Sequence, residues 1–577
     1  MRYIIVLMLV FFIPSITYAA INPIDEVDKN YDRLEQERQE QERIRKLNIL
    51  EQKPKEIEIQ EEKDLQPHRG VVITHCFVLE KIVIEDADEL SKKKKEEISK
   101  SHYHSCLNSE EINKIVTEIT NWYVEKGFIT TRVYVPEQNI ESGTLVLKVI
   151  EGRVERVIQN LDHTIDRMEV YTAFPISKGK KLNIRDVEQG LDQLNKLPSN
   201  DAQTKILPGA KVGESIIQVT NTQHDSLRAY VEGSNSLNSN GDPKLNLRVE
   251  KDNIFYLSDQ IQYNYGTGLI KTNEEINKNH NLSYFIPFGY WTVKPGYSYF
   301  RSLTNLDVSG TKYPYESKTQ AYNINADYVL SRWRASILTL ETGVVYKDKK
   351  TSFSSQILDT LSRRTSNVEL GLDFTDKYSS GFYDVRFTVT QGTKLFGAKK
   401  DDPNETGPEY PRAQFRKYTI DYSWNHYFNI GLRYSSNGKL QLSENTLYSE
   451  EQIGVGDRYT VRGFNKGFFL GDNGFYIRNE LSLPFYYKGK NIILRNIWSP
   501  ELFVGLDFGY AAKKGGSALY GTESAAALSG FAFGFRNNAK YFNLGIVAGI
   551  PITQPKFIKE IEDNNMELYV NFAVKVF

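Results

Sequence analysis

The rhythm of hydrophobic and polar positions changes several times along the chain, and each change marks a boundary. Residues 4–13 form an apolar run behind Arg2, followed by small residues at Thr17, Ala19 and Ala20. This is the build of a secretory signal peptide over residues 1–19, cut after Ala19; the run is too short to anchor a chain in a membrane. Residues 28–47 are rich in Glu, Gln, Arg and Lys, with Leu34, Ile44 and Leu47 scattered among them. They predict a polar helix over 20–52, either solvated or enclosed in a polar cavity. A Glu- and Lys-rich linker containing Pro54 follows over 53–72.

Over 73–152 the pattern is that of a small α/β unit. Phe77, Leu79, Ile82 and Ile84 alternate with polar neighbours, as in a strand. Ile112, Ile115, Val116, Ile119 and Tyr123 recur at helical spacing, with Asn108 and Glu111 placed for a capping box and Gly127 for the stop. Strands at 130–135 and 145–150 enclose a turn at 136–143. Residues 153–222 repeat the order: a strand at 154–158, a helical stripe at Ile184, Val187, Leu191 and Leu194, then strands at 205–207 and 216–219 around Pro208 and Gly209. Pro136 and Pro208 take like places 72 residues apart, so two copies of one fold stand in tandem. The charge run from Lys92 to Lys95 reads as a solvated loop of the first copy.

From 223 to 577 helical periodicity disappears. Sixteen segments of about ten residues alternate apolar and polar, separated by Gly, Asn, Asp and Ser. A tilted strand crosses a bilayer in about 9–11 residues, and an even number of strands closes by hairpins with no open edge. A pair of soluble β-sandwiches is the competing arrangement; apolar residues on one face only, and aromatics at strand ends such as Tyr284, Phe285, Tyr290 and Trp291, favour the barrel. The fold class expected is an all-β membrane barrel of sixteen antiparallel strands, preceded by two α/β domains and an N-terminal helix.

Composition narrows the function. The 577 residues carry a net charge of −1, which offers no case for nucleic acid. Mean hydropathy is −0.47, with 36 Tyr and 30 Phe against 4 Met, as suits strands apolar on one side. The only cysteines, Cys76 and Cys106, predict a disulfide in an exported chain; a metal site with His75, His102 and His104 is the weaker alternative, lacking ligand spacing. No phosphate-binding loop, nucleophile elbow or zinc-hydrolase helix occurs, so no catalytic residue, metal or cofactor is assigned and the chain is not expected to be an enzyme.

The whole mature chain resembles the outer-membrane component of two-partner secretion, a branch of the Omp85 superfamily. The tandem repeats resemble its POTRA domains, through Gly127-Phe128-Ile129-Thr130-Thr131-Arg132-Val133-Tyr134-Val135-Pro136 in the first and Leu197-Pro198-Ser199-Asn200 with Leu207-Pro208-Gly209-Ala210 in the second. Val461-Arg462-Gly463-Phe464, within a glycine-rich segment at 445–473, resembles the family's loop that folds into the barrel lumen. The resemblance implies that Arg462 pairs with Asp507 in Gly505-Leu506-Asp507-Phe508-Gly509 on the thirteenth strand. Alternation agrees: Leu502, Val504, Leu506 and Phe508 share one face, and Gly505, Asp507 and Gly509 the other. Tyr476, Arg478 and Glu480 share a face of the twelfth strand and extend this into a lumen network. Gly371-Leu372-Asp373-Phe374 copies the motif too early in the barrel and is given no role.

The resemblance further implies an N-terminal helix that plugs the pore and repeats that recognise an unfolded secreted partner with its own N-terminal secretion domain. That partner would be a large β-helical adhesin, haemolysin or contact-dependent toxin. The lipids of the outer membrane and the machinery that inserts barrels would be the other partners, with the repeats in the periplasm. The alternative is an assembly factor of the same superfamily, which usually carries three or more POTRA domains.

Overall fold

The computed structural model describes residues 23–51, 57–59, 77–139, 141–159, 167–235, 243–269, 276–308, 310–333, 335–485, 491, 496–562 and 565–577. The segment expected to be a signal peptide, His75, Cys76 and most of the linker lie outside the described residues. Cys106 is disulfide-bonded.

Helix α1, Pro23–Glu51, is the polar helix. In the first repeat, α2 (Lys92–Ser101) and α3 (Ser109–Glu125) pack on a sheet of Lys81–Glu85, Thr144–Ile150 and Arg132–Tyr134. Its core joins Ile112, Ile115, Ile119 and Tyr123 of α3 to Leu145, Leu147 and Val149 of the central strand. The loop expected at Lys92 to Lys95 is instead the first turn of α2. Ser91 accepts from Lys94 N–H at its start, and Ile98 supplies the one buried anchor that a charge run conceals. At the start of α3, Asn108 accepts from Glu111 N–H at 2.9 Å. The Glu111 carboxylate does not close the capping box in return; it meets His102 Nδ1 at 2.7 Å.

The second repeat contains α4 (Arg167–Ala173), which the apolar pattern did not announce, and α5 (Ile184–Asn195), which it did. They cover a sheet of Arg153–Gln159, Glu214–Gln223 and Asn200–Pro208, with Val187, Leu191, Leu194, Ile206, Ile217 and Val219 in its core. The repeats are clasped through Glu151, which accepts from Tyr123 Oη at 2.9 Å and pairs with Lys181 at 2.7 Å. Burial pushes that carboxyl up, but the Lys181 bond and its other donors outweigh burial and hold it below the usual carboxylate range.

The barrel closes through sixteen principal strands: β1 (Leu227–Ser234), β2 (Lys244–Asp252), β3 (Gln260–Gly268), β4 (Ile276–Phe288), β5 (Trp291–Val308), β6 (Thr311–Trp333), β7 (Ser336–Phe353) and β8 (Arg363–Tyr378). The second half is β9 (Gly381–Thr393), β10 (Arg416–Tyr427), β11 (Arg433–Ser443), β12 (Asn473–Pro484), β13 (Pro500–Ala512), β14 (Ala525–Asn538), β15 (Phe542–Thr553) and β16 (Glu567–Lys575). A two-residue strand, Gln356–Ile357, only extends the pairing of β7 in its outer loop. Neighbours are antiparallel throughout, and β1 meets β16 with Tyr230 opposite Lys575 and Ser234 opposite Asn571. Strand β6 has 23 residues and β5 and β7 have 18 each, about twice what a tilted crossing needs. Because β1 leads away from the repeats, the β5–β6 hairpin projects beyond the bilayer on the far side. No described helix is long and apolar enough to cross a membrane.

The second repeat is seated on the near rim. Gln193 and Gln189 of α5 donate to Gly289 O in the β4–β5 turn at 2.7 and 3.0 Å, and Gly289 N–H donates back to Thr172 O at 2.7 Å. Lys196 is half-buried in this joint, its Nζ 3.1 Å from Thr292 Oγ1, and loss of solvent there pushes its ammonium down to about 8.

Candidate functional site: a buried arginine joint inside the barrel

The β11–β12 connection lies on the far side and turns back into the lumen. Its glycines permit tight folding, and Asp457 shapes the approach by accepting from Tyr459 and Thr460 N–H at 2.8 and 2.9 Å. Two short strands, Ile453–Val455 and Phe469–Gly471, pair at its neck. Val461 and Phe464 are buried there with Ile453, Val455, Leu528 and Ile558, so the motif's apolar members anchor the loop to the wall. Tyr476 packs against this cluster.

Arg462 projects from between them onto β12, β13 and β14. Its Nε and Nη2 donate to the two carboxylate oxygens of Asp507 at 2.6 and 2.7 Å, its backbone N–H adds a third bond at 3.1 Å, and Nη1 reaches Glu480. Both Arg462 and Asp507 are essentially without solvent, at 1% and 0% exposure. A carboxylate held by two parallel guanidinium bonds is the strongest geometry available to this pair. Pairing across β12 and β13 sets Glu480 opposite Gly505, Arg478 opposite Asp507 and Tyr476 opposite Gly509. Arg478 donates to Tyr459 O at 3.1 Å and lies 3.4 Å from Glu480, tying the loop's approach to the same carboxylate.

Small residues make room. A methyl group on Gly505 would stand 2.5 Å from Arg462 Nη2, and one on Gly530 of β14 would overlap the Arg462 carbonyl oxygen. Gly463 adopts φ +108°, a conformation costly for other residues, and presses against Ile550 and Pro551 of β15. Its N–H donates to Tyr569 Oη at 3.0 Å, and that hydroxyl donates to Phe464 O at 2.8 Å.

The sequence singled out Arg462, Asp507, Arg478 and Glu480, and the structure brings these four together. It missed Arg536, which holds Glu480 from β14 at 2.6 and 2.7 Å and stacks 3.8 Å above Phe503. It missed Gly530 and Tyr569 as well. It also missed a second fastening: Glu451 pairs with Lys347 and Lys417 at 2.7 and 2.8 Å, and Glu450 with Arg363 at 2.5 Å, pinning the loop's first turn to β7, β8 and β10. The polar-in alternation of those strands was the available signal. Asp373, given no role from sequence, faces the lumen on β8 and receives Lys46 of α1, as does Asp384 on β9.

Helix α1 occupies the lumen beside the loop. Arg33 donates to Asn465 O at 2.6 Å, Tyr31 meets Phe300 edge-on at 5.8 Å, and Glu51 accepts from Tyr427 Oη at 2.8 Å near the rim that carries the repeats. Among the described residues no cluster of ligating side chains could hold a metal; His102 is engaged by Glu111 and, at 2.9 Å, by Glu118.

Residues 213–537 match the model of the haemolysin secretion/activation protein ShlB/FhaC/HecB. Residues 77–152 match the ShlB-type POTRA domain and 153–208 a second POTRA model. The chain is 28% identical to the outer membrane transporter CdiB of Dickeya dadantii, over 94% of this chain and 93% of that one. It is 30% identical to the hemolysin transporter protein ShlB of Serratia marcescens, over 66% and 67%. Its fold superposes on the solved CdiB from Escherichia coli with a TM-score of 0.84 at 24% identity, covering 97% of this chain and 100% of that one.

Proposed function

The chain belongs to the haemolysin secretion/activation family ShlB/FhaC/HecB, and from that membership we propose how its parts divide the work of an outer-membrane transporter of two-partner secretion. It sits in the bacterial outer membrane with its POTRA domains in the periplasm. Its cargo is a partner exoprotein, delivered unfolded and carrying an N-terminal secretion domain, of the large β-helical adhesin, haemolysin or contact-dependent toxin class. The POTRA domains take up the extended cargo, and the barrel conducts it. Outer-membrane lipids surround the barrel, and the cell's barrel assembly machinery inserts it.

No covalent step is assigned to any residue. The work is positional: the lumen must be filled at rest and passable in transit. The observation that carries this reading is the fully buried joint of Arg462 with Asp507 and Glu480, which fixes one lumenal segment while α1 lies beside it on polar contacts. Cargo folding outside supplies direction, since the periplasm offers no nucleotide.

Secretion of a large exoprotein of the partner class, followed in medium and periplasm with and without this chain, tests the proposal. Loss from the medium with other barrel proteins at normal levels is expected. Undisturbed export with a general fall in barrel proteins would make the chain an assembly factor instead.

A further inference from the structure

The outer wall of the barrel carries a basic row on its far side. Across β4, β5, β6 and β7 the ladders set Lys278 opposite Arg301, Arg301 opposite Lys318 and Lys318 opposite Lys350. Registered partners share a face of a sheet, and successive residues alternate between faces. Phe300 meets Tyr31 of α1 in the lumen, and Lys349 pairs with Glu450 of the inward loop at 3.6 Å. Their neighbours Arg301 and Lys350 therefore point outward, and Lys278 and Lys318 with them. At a strand spacing of about 4.8 Å the row is roughly 15 Å long. Like charges set directly opposite in a sheet repel. Arg301 and Lys318 share the Glu316 carboxylate, at 2.6 and 2.7 Å. Lys278 and Lys350 form no ion pair among the described residues.

We propose that this row is a binding site for the phosphorylated sugar headgroup of the outer-leaflet glycolipid, whose phosphate oxygens accept from the four cations. The inference rests on the outer-membrane location and not on what the barrel transports. The height of the row argues for a lipid. On β6 the outward positions Tyr322, Ile324 and Leu330 are exposed and apolar, and the stretch from Trp333 to Tyr322 has about the length of one tilted crossing. Lys318 lies four residues beyond Tyr322, about 13 Å along a tilted strand, which is headgroup level. An aromatic belt runs between the hydrocarbon and the cations. His280 lies between Tyr265 and Tyr299 with ring centres 5.0 and 5.8 Å away, and Tyr322 between Tyr297 and Tyr346 at 5.0 and 6.3 Å. Such a belt marks the membrane interface. His280 and Tyr299 stand two residues below Lys278 and Arg301 on the same strands, so the row follows the outer edge of the belt.

The row also states which headgroup it takes. One register step to either side, the described outward side chains of β4 to β8 add one cation, Arg364, and two carboxylates, Glu316 and Asp348, the latter 3.5 Å from Arg364. The patch stays positive. A phosphomonoester carries about −1.5 to −2 charges at neutral pH, and arginine grips it through two parallel bonds. A sugar headgroup with two such phosphates matches four cations in line better than a single phosphodiester does. A zwitterionic phospholipid brings its own ammonium and gains less. Glu316 is the anion already in place, and it holds two of the four cations back.

The test titrates purified full-length protein in detergent with bisphosphorylated lipid A, monophosphorylated lipid A and phosphatidylglycerol, read by native mass spectrometry. The parent is expected to bind the bisphosphorylated form at least tenfold more tightly than phosphatidylglycerol, with the monophosphorylated form between them. Lys318→Gln with Lys350→Gln should lose that tenfold preference, and Lys318→Arg with Lys350→Arg should keep it. Equal binding of all three lipids by the parent, or an undiminished preference in the glutamine variant, overturns the inference. Glu316→Gln frees Arg301 and Lys318 and should bind bisphosphorylated lipid A several-fold more tightly than the parent. That gain cannot come from a damaged fold, so its absence overturns the inference even where the glutamine pair fails to insert.

Discussion

Replacing Arg462 by alanine tests the joint at its centre. The substitution removes both guanidinium bonds to Asp507 and the contact to Glu480. The two acids are not affected alike. Glu480 keeps both bonds from Arg536, at 2.6 and 2.7 Å. Asp507 keeps the backbone N–H of residue 462 at 3.1 Å, but its charge has lost the cation it faced, in a place without solvent. Breaking a buried pair in this way costs about 3–5 kcal/mol, which moves the balance between seated and unseated loop by roughly two to four decades. The barrel ladder does not use Arg462, so insertion and heat-modifiable migration on gels should be unchanged. A cysteine at Val455, buried in the loop, should be silent to an impermeant maleimide in the parent and labelled in Arg462→Ala, with secretion lost. Asp507→Asn should be milder, because Arg462 retains Glu480 and can still donate to an amide oxygen; Arg462→Lys should fall between, since a single ammonium cannot bridge two acids in bidentate fashion. An unlabelled loop and full secretion in Arg462→Ala would show that the joint does not hold the loop.

Three other perturbations probe separate parts. Gly530→Ala places a methyl where the Arg462 carbonyl lies and should unseat the loop without touching a charge, read by the same Val455 label. Deleting residues 25–50 should raise single-channel conductance, because α1 fills the lumen; an unchanged conductance would leave the helix as a tether. In the first POTRA domain, burial lowers the His102 imidazole pKa, but the hydrogen bonds and charges of Glu118 and Glu111 outweigh it and the net direction is up. The sign follows: the stabilisation is complete below the unfolded value of about 6.5 and is lost as pH rises through the higher folded value. Hydrogen-exchange protection factors over 92–125, taken relative to the intrinsic rate at each pH, should therefore fall from pH 6 to 8, and His102→Gln should flatten that dependence.

The barrel was legible because one physical rule, apolar toward lipid and polar toward the lumen, writes itself along each strand in period two. Leu502, Val504, Leu506 and Phe508 are exposed on β13 while Phe503, Gly505, Asp507 and Gly509 are buried. Strand ends were less legible where β5, β6 and β7 run past the bilayer and nothing in the rule stops them. Short elements were missed for a different reason. Helix α2 has a single buried residue, Ile98, too little to set up a periodicity. The partners of Arg462 divided in the same way. Asp507 stood out through its glycine neighbours, whereas Arg536 and Gly530 reach the site only through register, which no local pattern encodes.

The two lumenal segments are held by opposite means, and that sets an order of release. The loop's joint is dry, so every charge in it depends on its partner and separation strands a carboxylate. Helix α1 answers many of its charges internally: Arg38 with Glu35 and Glu42, and Arg43 with Glu40. Its side chains there are partly solvated, with Arg38 at 41% and Glu35 at 37%. Ion pairs of that kind contribute about 0–1 kcal/mol each, and those within the helix travel with it. The bonds α1 makes to the wall, such as Lys46 to Asp373 and Asp384, can pass to water in a polar lumen. Withdrawing the helix therefore strands few charges, whereas withdrawing the loop strands one at its centre. The helix should leave first and the loop should stay seated through transport. Maleimide labelling during active secretion distinguishes the two: a cysteine on α1 should become reactive with cargo in transit, while one at Val455 should not.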